Sequence, residues 1–213
     1  MPAVVEQHSL GPIGTNCYLV RAERGASEAV VVDPSGDATA IRLRLAEMGA
    51  RCTAILVTHG HWDHLVGVAD LAEGTEAPVY MPEGERVLLE QPQSFAPVPL
   101  RAYTPDVLLH GGETIDVAGL SVDVLSVPGH SPAHLAYATD GCLLAGDVLF
   151  AGSVGRTDLP GAAWDTLLES IRTLVDRYPP ETVVYPGHGP ATTLGQELAR
   201  NPFLGELRAE RQK

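Results

Sequence analysis

Ala54-Ile55-Leu56-Val57-Thr58-His59-Gly60-His61-Trp62-Asp63-His64 joins an apolar run to four ionisable side chains packed within six residues. The run Ala54 to Val57 reads as a buried strand, and Thr58 onward as the loop where it stops. Strand-end loops are common places for site residues. Three imidazoles and a carboxylate this close together are costly to bury unless a partner compensates them. A divalent metal does so, because neutral imidazole and carboxylate suit zinc, iron or manganese. A lone histidine here would read as part of a solvated turn; the spacing of His59, His61, Asp63 and His64 favours the metal.

Working outward, three more strand-like runs end on a residue type that binds metals. Leu120 to Val127 leads into Pro128-Gly129-His130, Cys142 to Gly146 into Asp147, and Thr182 to Tyr185 into Pro186-Gly187-His188-Gly189. In each, a glycine just before the candidate lets the backbone turn sharply into a crowded place. His59, His61, Asp63, His64, His130, Asp147 and His188 are thus the candidate ligands. A catalytic metal needs about three protein ligands plus water. Seven imply two metals with one carboxylate shared.

These motifs resemble the metallo-β-lactamase-fold hydrolases, and within them the short glyoxalase II-like (hydroxyacylglutathione hydrolase-like) branch. The His-x-His-x-Asp-His signature is His59 to His64, and His130, Asp147 and His188 follow in family order. Gly146 to Asp158, with its Val154-Gly155-Arg156-Thr157-Asp158 run, is similar to the segment after the bridging Asp in that branch. Thr15-Asn16-Cys17-Tyr18, Val32-Asp33-Pro34 and Asn201-Pro202-Phe203-Leu204 carry the resemblance to both ends of the chain. It implies a four-layer αββα sandwich, where composition alone leaves several α/β arrangements open. The metals would lie at one edge between the two sheets.

The resemblance also implies roles. His59, His61 and His130 would hold one cation and Asp63, His64 and His188 the other, with Asp147 bridging. The cofactors would be two divalent ions, zinc first, with iron or manganese as alternatives. Water shared between two such ions loses a proton near neutral pH, since one Zn²⁺ already brings bound water to a pKa of ~7. The resulting metal-bridging hydroxide would attack an acyl carbon, with Asp63 orienting it as well as binding metal. The expected substrate is a small acyl thioester, whose thiolate leaves without a strong general acid. Arg156 falls where longer hydroxyacylglutathione hydrolases place a basic residue against glutathione. It reads either as an anchor for a substrate carboxylate, gripped by two parallel hydrogen bonds, or as a structural partner of Asp158. Two departures stand out: Gly189-Pro190 follows His188 where the longer enzymes carry a tyrosine, and their helical C-terminal domain has no counterpart here. The expectation is one domain over residues 1–213, with no separate C-terminal substrate-binding domain.

Composition agrees with a globular enzyme: 213 residues at 45% apolar content can bury a sizeable core. Net charge is −13 with no Lys/Arg cluster, which argues against nucleic acid, whose phosphates demand basic surface. No window approaches the roughly 18 apolar residues of a membrane span, and the start lacks a basic, apolar leader. No membrane association and a cytoplasmic location are expected, with Cys17, Cys52 and Cys142 as reduced, buried thiols.

Early strands are predicted near Tyr18–Val20 and Ala29–Asp33. Ala38, Ile41, Leu45 and Met48 recur at helical spacing up to Gly49. His64 to Leu71 reads as one helix starting at the site. Trp164 to Tyr178 forms the clearest amphipathic helix, stopped by Pro179-Pro180, and Thr193 can cap a short helix through about Arg200. Gln91 to Asp106 holds four prolines and no periodicity. It reads as a lid or as a passive connection, with Phe95, Arg101 and Tyr103 as its contact residues. Asp33 and Thr58 are candidates to support the ligating histidines from behind. His134 reads as structural, Trp62 as a pocket-mouth residue, and His8 and His110 as surface or packing residues. Two other activities fit the same motifs: a persulfide dioxygenase using one iron, and a lactonase. A non-catalytic binding module fits less well, because a full ligand set with an open position has little other use.

Overall fold

The computed structural model describes residues 3–92 and 96–211, and their strands form two six-stranded sheets and a short hairpin. The first sheet runs β1 (Val4–Leu10), β2 (Thr15–Arg21), β3 (Glu28–Val32), β4 (Arg51–Leu56), β5 (Val79–Pro82) and β6 (Val107–Leu109) in that order. The second begins with β7 (Thr114–Val117), β8 (Leu120–Ser126), β9 (Leu135–Thr139) and β10 (Cys142–Gly146). The hairpin β11 (Leu149–Phe150) and β12 (Ser153–Val154) stands apart, and β13 (Val183–Pro186) and β14 (Thr192–Thr193) then extend the second sheet beyond β10.

Alternation along the strands makes four layers of these two sheets. Tyr18, Val20, Val30, Val32, Ala54 and Leu56 point to one side and meet Leu120, Val122, Val124, Leu135, Tyr137 and Leu144 in the filling between the sheets. Their neighbours Cys17, Leu19, Ala29, Val31 and Ile55 point outward beneath helices α1 (Ala38–Glu47), α2 (Trp62–Leu65) and α3 (Val68–Thr75). On the far side, Leu125, Ala136, Leu143 and Ala145 face the helices of the second half. The helices of the first half end with α4 (Val87–Glu90); those of the second are α5 (Trp164–Arg177), α6 (Leu194–Arg200) and α7 (Gly205–Glu210). Period-2 side-chain direction thus lets each central strand serve two cores. Each large side chain so buried contributes about 1.5–3 kcal/mol. The αββα sandwich expected from the resemblance is what is found.

β3 to β6 are parallel to one another and β10 is parallel to β13. Parallel neighbours need crossovers, and the loops leaving β4, β10 and β13 therefore open at one end of the sandwich.

The strand and helix expectations for β2, β3, β4, β8, β10, α1, α5 and the Thr193 cap hold, with β2 and β4 starting three residues earlier than expected; the Thr193 hydroxyl accepts from the Gln196 N–H. The helix expected through His64 to Leu71 is instead broken into α2 and α3 at Val66-Gly67. Gly67 N–H donates to Pro34 O at 2.7 Å, and a Cβ there would lie 2.5 Å from that oxygen. Close packing on the Pro34 turn outcompetes helix continuation. Arg101 pairs with Asp70 and Glu73 of α3, and Tyr103 packs against the outer core of the first sheet, so this part of the 91–106 segment is fixed in place. Phe95 lies outside the described residues.

Candidate metal centre

Four strand ends meet at the open end of the sandwich, and backbone bonds across the sheets hold them there. Leu135 N–H donates to Thr58 O at 2.8 Å, tying the two sheets beside β4. The Asn16 side-chain amide donates to Pro186 O and Gly189 O, its backbone N–H reaches Gly187 O at 2.7 Å, and the Tyr18 hydroxyl donates to Pro186 O at 2.6 Å. The Thr15-Asn16-Cys17-Tyr18 motif therefore anchors the turn that carries His188. A Cβ on Gly187 would fall 2.0 Å from Asp147 Oδ1 and 2.8 Å from His64 Cε1, so only glycine lets this turn approach.

All seven predicted ligand residues come together. His59, His61 and His130 form one group, Asp63, His64 and His188 a second, and His59, His64 and Asp147 a third, the ligand atoms of each lying within 4.8 Å of one another. Asp147 lies between the first two, 3.4 Å from His130 Nε2, 3.5 Å from His64 Nε2 and 3.6 Å from His188 Nε2.

Partners behind the rings decide which nitrogen faces inward. His64 Nδ1 donates to Asp33 Oδ2 at 2.9 Å, and His130 Nδ1 donates to the Arg156 carbonyl at 2.9 Å. The Thr58 hydroxyl donates to Asp33 Oδ2 at 2.7 Å and is left to accept from His59 Nδ1 at 3.0 Å. Each of these three rings then turns its Nε2 to the centre. Thr15 Oγ1 donates to Asp63 Oδ2 at 2.7 Å. Asp33 and Thr58 hold the supporting positions anticipated for them. His134 is a structural ring: it stacks on His59 at 4.6 Å, and its Nε2 accepts the Asp147 N–H at 3.1 Å.

The donor set fits divalent cation binding on three observations. His61 Nδ1 lies 3.0 Å from His59 Nε2 and 2.8 Å from His130 Nε2, and one proton can satisfy only one of those contacts. His64 Nε2 and Asp147 Oδ1 are buried without a hydrogen-bond partner. The acid groups also call for positive charge. Burial pushes His59 well below the ordinary imidazole value and His61 to about 4, with neighbouring imidazoles adding to it, so both stay neutral. Burial opposes charge on His64 too, yet Asp33 and Asp147 overcome it and hold His64 well above the usual value. Burial likewise disfavours the Asp63 and Asp147 carboxylates. His188, His64 and Thr15 outweigh it for Asp63, and His64, His130 and His188 do so for Asp147; both stay ionised. Neutral His59 and His61 beside ionised Asp63 and Asp147 are donor types of a metal site, and a cation bound there would displace the proton that the acids hold on His64.

Residues 10–188 match the family model described as the metallo-beta-lactamase superfamily. The chain belongs to the metallo-β-lactamase superfamily. A relative from Haemophilus influenzae named hydroxyacylglutathione hydrolase GloC is 34% identical, over 89% of this chain and 92% of its own. The crystal structure titled BLEG-1 B3 metallo-beta-lactamase has a TM-score of 0.89 at 38% identity, covering 95% of this chain and all of that one (100%). A second crystal structure, TTHA1623 in a di-iron-bound form, has a TM-score of 0.82 at 38% identity, over 93% and 100% of the two chains. Superfamily membership makes the chain a hydrolase of the metallo-β-lactamase fold.

The cluster opens on a cleft of about 500 Å³. His61, Asp63, His130, Asp147 and His188 form its polar floor, and Ile13, Trp62, Leu88, Leu100, Leu159 and Pro160 its apolar wall. Trp62 is thus where the sequence reading put it. Arg156 also lines the cleft, but its guanidinium grips Asp158 through two 2.7 Å bonds, both side chains being well exposed. Sequence reading missed Thr15, Leu88, Leu159 and Ile13. The β1–β2 turn that carries Ile13 is marked only by Gly11 and Gly14, a signal for a turn but not for a cleft rim. Among the described residues, no helix is long and apolar enough to cross a membrane.

Proposed function

We propose that this chain is a dinuclear metal-dependent hydrolase of small acyl thioesters, of the hydroxyacylglutathione hydrolase type. The observation that carries it is two ligand groups, His59-His61-His130 and Asp63-His64-His188, with Asp147 within 3.6 Å of His130, His64 and His188 at the floor of a largely apolar cleft. His59, His61 and His130 would hold one cation and Asp63, His64 and His188 the other. Zinc is the first expectation, with iron equally served by this donor set. Bound there, the cations would acidify a bound water and stabilise charge on an acyl oxygen.

The chain's own groups do the rest. Asp33, Thr58 and the Arg156 carbonyl keep three imidazoles aimed inward, so no rotation is lost when the site is used. Thr15 restrains the Asp63 carboxylate, which orients the attacking water. Trp62, Leu88, Leu100 and Leu159 take the apolar part of the substrate and keep bulk water away. A thiolate leaves without a proton donor, and no Lys or Tyr lines the cleft among the described residues. Among the described residues Arg156 is the one Lys or Arg lining it, and it would meet a substrate carboxylate by exchanging or sharing Asp158. An acidic chain with net charge −13 supports a small-molecule substrate and opposes nucleic acid.

The test is a turnover screen of S-D-lactoylglutathione, other acyl thiols, an acyl lactone and a β-lactam, beside elemental analysis of fresh protein. Two metals per chain with thioesters hydrolysed fastest is the expected result. Oxygen uptake on glutathione persulfide with one iron per chain would overturn it.

A further inference from the structure

Glu85 closes the 3-10 turn Glu83–Glu85 that follows β5, and it is only 3% exposed. Among the described residues no Lys, Arg or His forms an ion pair with it. Its two carboxylate oxygens instead accept backbone N–H groups: Oε2 from Gly60 at 2.5 Å and Oε1 from Ala133 at 2.8 Å. Gly60 stands between His59 and His61. Ala133 lies three residues past His130 and immediately before His134, the ring stacked on His59. One side chain from a third segment therefore spans two loops that belong to different sheets, both of which supply the three-histidine group.

The packing around this clasp leaves little slack. A Cβ on Gly60 would lie 2.5 Å from Leu88 Cδ1, and one on Gly84 would lie 2.7 Å from Ala133 Cβ. A buried carboxylate is expensive unless charge-assisted hydrogen bonds satisfy it, and here both bonds go to backbone at the candidate metal centre. We infer that Glu85 is a positioning residue: it fixes the His59–His61 loop against the His130 loop, so that the three-histidine half of the site stands ready before a cation arrives. The inference rests on the reading of these histidines as metal ligands.

The experiment uses the whole chain stripped of metal and titrated with Co²⁺ and Zn²⁺, following the Co²⁺ visible bands and the heat of binding. Glu85→Gln is made alone, in a His188→Ala background that retains the three-histidine half, and in a His61→Ala background that retains the other. Gln keeps one carbonyl acceptor but turns an NH₂ toward the second backbone N–H, which breaks one arm of the clasp. Affinity is expected to fall about 10–100-fold in the first background, the usual loss for an outer partner of a ligand, and to hold in the second. Equal losses in both, or none in either, overturn the role of Glu85. A parent chain that binds neither ion overturns the metal reading itself. Should the variant not fold, amide exchange in the unsubstituted chain decides. Gly60 and Ala133 amides that exchange as slowly without metal as with it support the clasp, and fast exchange in the stripped protein overturns it.

Discussion

Asp33 accepts the Nδ1 proton of His64 at 2.9 Å, with both side chains almost fully buried. The carboxylate reaches that place because Asp33 adopts φ +48°, a left-handed turn at the end of β3 that Asp tolerates better than most residues. Its Oδ1 accepts the Thr58 N–H at 2.8 Å and its Oδ2 the Thr58 hydroxyl, so one acid orients two rings. Asp33→Asn keeps an acceptor but loses the charge. Zinc affinity of the Asp63, His64 and His188 group is expected to drop about 10–100-fold, as read by competition with a chelator. Unchanged affinity would remove Asp33 from the site's support.

Asp63→Ala and Asp147→Ala each delete a proposed ligand without touching the sandwich filling. Turnover of an acyl thioester is expected to fall at least about a hundredfold, the upper range for losing a mere outer partner. The far-UV circular dichroism should stay that of the parent. Full activity in either variant would refute the assignment.

Arg156 and Asp158 are both exposed at the cleft rim and joined by a two-pronged pair. Arg156→Ala is expected to raise KM for a carboxylate-bearing thioester about tenfold, roughly the 1.4 kcal/mol of one charge-assisted bond. KM for an uncharged thioester should change little. Asp158→Asn should act oppositely on the anionic substrate by freeing the guanidinium. Parallel shifts for both substrates would show that Arg156 does not read charge.

Arg44 of α1 grips Glu6 of β1 through its Nε at 2.5 Å and its second terminal nitrogen at 2.9 Å, which lowers the Glu6 carboxyl to about 2. A carboxyl lowered on folding adds stability above its unfolded value, near 4.5, and loses it as the pH falls toward 2. The melting temperature of Arg44→Gln should therefore lie below that of the parent at pH 6, and the gap should close steadily between pH 4.5 and 2. The effect is modest because solvent screens the pair. A gap independent of pH would assign the loss to packing of the arginine stem.

Much of this was legible in the residues. Strand-ending glycines before His130, Asp147 and His188 marked where the chain turns into the site, and the unbroken apolar run Ala54 to Val57 marked a buried strand. The helix break at Gly67 was not legible, because it comes from a contact with Pro34 that no local pattern announces. Glu85 stayed hidden for the same reason: the acidic stretch Pro82-Glu83-Gly84-Glu85 looks like a solvated turn until two distant amides are found on Glu85. The Arg156 carbonyl behind His130 carries no side-chain signature at all.

The candidate ligands are drawn from both sheets: His59, His61, Asp63 and His64 follow β4, while His130, Asp147 and His188 follow β8, β10 and β13. Away from the hydrogen-bonded open edge the sheets are joined by apolar contact, like the covers of a book held by its pages. A cation seated across them would work as a buckle on the open edge. Chelation would then soften the molecule from that edge inward, and resistance to heat or protease would track the free metal concentration as closely as turnover does.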